Sequence, residues 1–122
     1  MKVIEINSNG GTCDRCGKGL VNVAVIKIGG KTQTVGLDCL QKVEISDFDT
    51  KRTVRNAIKD ARTLGTIKKL AAKGELHTKF VTTENGDKVY YWQHPVQNWQ
   101  CVGLAEQNTW GLRREIWELV TK

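Results

Sequence analysis

Histidine is scarce in this 122-residue chain: there are two, His77 and His94, and neither is followed by glutamate two places on. That excludes the His-x-Glu pairing of a zinc deaminase. His-Glu-x-x-His, Gly-x-Ser-x-Gly and a glycine-rich phosphate loop are missing as well. Without a recognisable nucleophile, acid or base, the chain reads as a non-enzyme. No apolar run approaches the ~20 residues of a membrane-spanning helix, so no membrane partner is expected. Met1 to Asn7 offer no apolar core of signal-peptide length, and a cytoplasmic location is expected. Proline occurs once, at Pro95, where it ends an expected strand. No internal repeat or low-complexity tract is present.

The four cysteines stand out against this background. In a reducing compartment they are expected as metal-bound thiolates rather than disulfides. Cys13-Asp14-Arg15-Cys16-Gly17 has the spacing with which one tight turn supplies two ligands to one ion. Gly17 lets the backbone fold back so that an amide points at a thiolate. Val35-Gly36-Leu37-Asp38-Cys39 brings a third sulfur after an apolar, β-branched run from Leu20 to Ile28, the turn Gly29-Gly30 and a return strand over 32–35. Zn²⁺ takes four nitrogen or sulfur ligands in a tetrahedron. The fourth is expected from Cys101, which would complete a Cys₄ set, with His77, then His94, then Asp38 or a water as alternatives. A redox Cys-x-x-Cys pair would need a strand before it and a helix start at it; Asn7-Ser8-Asn9-Gly10-Gly11 reads as a loop instead.

The order knuckle, hairpin, Gly-x-x-Cys, short helix (Leu37 to Glu44) resembles the treble-clef zinc finger over residues 11–45. It is also similar to the small C-x-x-C-G … V-G-x-x-C proteins carried by phages and plasmids. The resemblance implies a zinc-stabilised module and a bacterial host cell. It departs at Lys42, which stands where a treble clef has its second helix ligand, and an ammonium cannot ligate a metal.

The fold class expected is α+β. Residues 1–46 form the zinc module, with residues 2–6 as a strand on its hairpin. Residues 47–75 form a basic helix, and residues 76–122 a hairpin, a strand and a terminal helix, packed with the zinc module as one domain. Ser46-Asp47-Phe48-Asp49-Thr50 favours a turn or cap. Val54, Ala57, Ile58, Ala61, Leu64, Leu70 and Ala71 recur at helical spacing, with Gly65 expected to kink or divide the helix and Gly74 to stop it. Asn85-Gly86, two residues that tolerate positive φ, marks a hairpin turn. Tyr90 and Trp92 are placed on one face of its second strand, Val89 and Tyr91 on the other. Residues 99–105 read as a strand. Asn108 or Thr109 is expected to cap a last helix buried through Leu112, Ile116, Trp117, Leu119 and Val120.

The net charge of +6 is concentrated. Residues 51–73 hold Lys51, Arg52, Arg55, Lys59, Arg62, Lys68, Lys69 and Lys73 against Asp60 alone, so the remainder is slightly acidic. A solubilising face usually mixes signs; one sign attracts polyanions or an acidic protein surface. Six of the eight aromatics lie between Tyr90 and Trp117. Tyr90, Trp92 and Trp99 are candidates for stacking unpaired bases, though small domains also need such rings for their cores. The outward member of the pair Tyr90 and Tyr91 is the better candidate. The function expected is a zinc protein that contacts nucleic-acid backbone through its basic helix. The second reading is a phage-type inhibitor or adaptor that sets the same helix against an acidic host protein.

Overall fold

The computed structural model describes residues 1–43, 45 and 47–122. It is a mixed α+β structure that divides into two compact units, Met1–Ala61 and Arg62–Lys122. Among the described residues no helix is long and apolar enough to cross a membrane.

The first unit is built on an antiparallel sheet in the order β1 (Lys2–Asn7), β4 (Val23–Ile28), β5 (Lys31–Gly36). The central strand carries apolar residues on both faces: Val23, Ala24 and Ile26 are buried. A strand apolar on both faces needs both faces covered, and the burial of these residues meets that need. The two-residue strands β2 (Gly11–Thr12) and β3 (Gly19–Leu20) pair with each other and frame the Cys13–Cys16 turn. The stretch from Asn7 to Gly11, read as a loop, thus gives its first residue to β1 and its last to β2. After β5 the short helix α1 (Leu37–Gln41) buries Leu40. Its expected end at Glu44 lies outside the described residues, as does Ser46.

Helix α2 (Phe48–Ala72) begins where Asp47 accepts hydrogen bonds from the Thr50 amide (2.9 Å) and hydroxyl (2.6 Å). These bonds, the hydroxyl first, hold the Asp47 carboxyl below its ordinary value. A depressed carboxylate stabilises the fold above its unfolded pKa, and the contribution disappears as pH falls through the folded one. Helicity of α2 is therefore expected to decline on acidification, by circular dichroism, and Asp47→Ala should remove most of that pH dependence. The helix runs unbroken through Gly65, contrary to the expected division. The buried residues on either side of it, Leu64 and Ile67, continue the apolar stripe. One glycine in a long helix costs only about 1 kcal/mol, which such burial outweighs. The helix stops at Ala72 with the Glu75 amide donating to the Leu70 carbonyl and the Gly74 amide to that of Ala71.

In the second unit β6 (Thr78–Thr82), β7 (Lys88–His94) and β8 (Asn98–Gly103) form an antiparallel sheet in that order. The β6–β7 turn places only Gly86 at positive φ (85°), and Asn85 stays on the ordinary side. The Gly86 amide closes on the Thr83 carbonyl at 3.0 Å, so this is an ordinary turn followed by a left-handed glycine. Trp92 and Val102 are buried, and Tyr90 sets its ring edge-on to Trp117 of helix α3 (Gly111–Val120) at 4.8 Å. Leu112, Ile116 and Val120 bury the helix on that side. Asn108 does not cap α3, which starts after Trp110. Its amide is buried and donates instead to the carbonyls of Val102 (3.1 Å) and Leu104 (2.7 Å). All four tryptophans belong to this unit.

Candidate metal centre

The knuckle is made by backbone bonds. The Gly17 amide donates to the Cys13 carbonyl (2.8 Å) and the Cys13 amide to that of Lys18 (2.9 Å). Gly17 sits at φ 73°, which a side chain would strain. Two reciprocal bonds then fasten the knuckle to β5. The Asp14 amide donates to the Thr34 carbonyl (2.8 Å), and the Thr34 amide donates to the Asp14 carboxylate (2.7 Å). Asp14 and Thr34 had no signal in the sequence beyond their positions. A carboxylate inside a metal-binding turn reads as a possible ligand or a solvated charge, not as a fastening. Gly36 ends β5 and delivers the chain to Cys39 in α1. A side chain there would meet the Leu20 methyl at 2.7 Å. Instead the Gly36 amide reaches the Cys13 sulfur at 3.5 Å.

The outcome is that the sulfurs of Cys13, Cys16 and Cys39 all lie within 4.8 Å of one another. Tetrahedral zinc with ~2.3 Å bonds to sulfur needs separations of about 3.8 Å, so a small contraction suffices. Cys13 is buried, Cys39 half-buried and Cys16 exposed. Their electrostatics also suit a cation. Burial pushes the Cys13 thiol up, but the amides of Gly36, Cys16 and Arg15 and the Cys16 thiol outweigh it and bring Cys13 down to about 6. Cys39 is pushed up to about 11 by its hydrogen bonds to Cys16 and Cys13, then by burial and by the charge on those two sulfurs. One thiolate is thus favoured while a neighbour keeps its proton. A divalent ion displaces such protons and removes the repulsion, so its binding weakens as pH falls. The donor set therefore fits a soft or borderline metal ion.

The other expected site residues lie on the following elements. Cys101 is exposed on β8, opposite Tyr91 in the sheet register. His77 precedes β6 and is exposed, with its carbonyl accepting from the Gln93 amide at 2.9 Å. His94 ends β7, where its Nδ1 accepts from the amides of Val96 and Gln97, both at 3.1 Å. Asp38 is exposed on α1 beside Cys39. The cations Lys51, Arg52, Arg55, Lys59, Arg62, Lys68 and Lys69 are all exposed on α2, and Lys73 follows its last residue. Trp92 is only 4% exposed and Tyr90 packs on Trp117, so both belong to the inner face of the sheet rather than to a stacking surface. The chain matches no protein-family model, and neither curated proteins nor solved structures yield a match.

Proposed function

We propose that the protein is a non-enzymatic zinc protein that contacts nucleic-acid backbone through α2. The grouping of three thiols carries the metal half of the reading, because metal-holding thiolates are the usual reason for three cysteines to converge without a disulfide. The treble-clef likeness of the knuckle, hairpin and Gly-x-x-Cys helix favours zinc over other ions. The fourth donor is proposed to be solvent, reaching the ion from the exposed Cys16 side. Cys101→Ser is accordingly expected to leave about one zinc per chain, by elemental analysis, with an unchanged melting temperature. Loss of the metal would make Cys101 the fourth ligand and would redirect the reading to a closed Cys₄ site.

The nucleic-acid half rests on sign and exposure. Seven exposed cations and Asp60 as the only carboxylate after the first turn make α2 a source of positive potential. Lysine and arginine along a helix recognise phosphates without reading sequence, so affinity rather than specificity is implied. Retention on duplex DNA at low salt, with steep loss as salt rises, is the expected behaviour. A protein that ignores nucleic acid but co-purifies with one host protein would instead support the inhibitor reading.

A further inference from the structure

One face of the β6–β7–β8 sheet is turned away from α3. Register places Lys79 and Val81 of β6, Val89, Tyr91 and Gln93 of β7, and Trp99 and Cys101 of β8 on it. None of the seven is buried, and Trp99 and Val81 are 36% and 51% exposed. The Lys79 ammonium lies 4.3 Å from the centre of the Trp99 ring and 5.6 Å from that of Tyr91. The ammonium and the two rings thus share one surface, on which Trp99 is exposed and Tyr91 half-buried. The three strands contain two lysines and no carboxylate.

We propose that this face binds single-stranded nucleic acid, with unpaired bases stacked on Tyr91 and Trp99 and a phosphate drawn to Lys79. Aromatic rings displayed on open sheets are suited to this because every base has a π-face, whereas bases in a duplex are already stacked on one another. Charge decides the occupant. A cationic ligand would also favour two rings, but it would meet Lys79 and no carboxylate on the strands. A polyanion meets complementary charge. The proposal extends the nucleic-acid reading of α2 to a second surface and to unpaired strands, and it is separable from that reading by experiment.

The test uses the full-length metal-loaded protein and labelled oligothymidylate of about fifteen nucleotides, compared with a duplex of the same length by fluorescence anisotropy. Both side chains face outward, so the Tyr91→Ala, Trp99→Ala double variant is expected to fold. It should bind the single strand at least about tenfold more weakly while its duplex affinity stays within about twofold. Tyr91→Phe and Trp99→Phe should retain the strand, since they keep the rings. In the wild type, bound oligothymidylate should slow alkylation of Cys101 by iodoacetamide, read peptide by peptide, which decides the matter if the double variant misfolds. Equal losses on both ligands, no loss, an unprotected Cys101, or a wild type that binds no strand each overturn the proposal. Charge reversal on α2 tests the other surface: if it leaves duplex binding intact while the ring variant loses the strand, the helix reading fails and this one stands.

Discussion

Stripping the metal with a chelator is expected to unfold the first unit. About 60 residues around one sheet rarely gain more than ~3–5 kcal/mol from their apolar core. Structural zinc in zinc-finger peptides, which supply four protein ligands, contributes roughly 10–16 kcal/mol of apparent binding energy near neutral pH. The larger quantity decides, and the apo unit should lose its amide protection across β4 and β5. Cys16→Ser is the cleanest genetic counterpart. Cys16 is exposed, so the substitution creates no cavity, and a large loss of stability can only come through the ion. Cys13→Ser should lose metal and stability too, but Cys13 is 2% exposed and part of that loss is packing. Cys39→Ser should behave like Cys16→Ser. Hydrogen exchange on the apo protein checks the prediction, and persistence of slow exchange on β4 and β5 would overturn the metal's structural role.

The second large effect is on nucleic acid. Replacing Arg52, Arg55, Arg62 and Lys69 by Glu is expected to abolish retention of duplex DNA at low salt. If α2 neutralises five to seven phosphates, raising salt from about 50 to 200 mM should weaken wild-type binding roughly a thousandfold. Removing four contacts should flatten the logarithmic salt slope by about three to four. Glutamate is a good helix former, so helicity should hold, and circular dichroism controls for it. An unchanged slope would mean that α2 is a solvated surface and nothing more.

How far the sequence could be read depends on the range of the interactions involved. The spacing of Cys13, Cys16 and Cys39, the alternation around Trp92 and the helical recurrence from Val54 to Leu70 are local patterns, and each appears in the fold as read. The pairing of residues 2–6 with the hairpin was also legible, from the alternation of Lys2, Val3, Ile4, Glu5 and Ile6. What stayed hidden was set by contacts that no single element's own pattern encodes. Asp14 fastens to Thr34 twenty positions away. Asn108 has the composition of a helix cap, yet its amide turns back to the carbonyls of Val102 and Leu104. The outward placement of Trp99 beside Tyr91 and Lys79 follows from the register of three strands, which no single strand encodes.

The confinement of every indole to residues beyond Arg62 has a practical corollary. Intrinsic indole emission from this protein arises entirely outside the unit that holds the thiols. An optical melt followed at the indoles reads the unit beyond Arg62 directly. Labels placed in β4 or β5, or resolved amide signals there, are what a measurement of the metal-dependent half has to use.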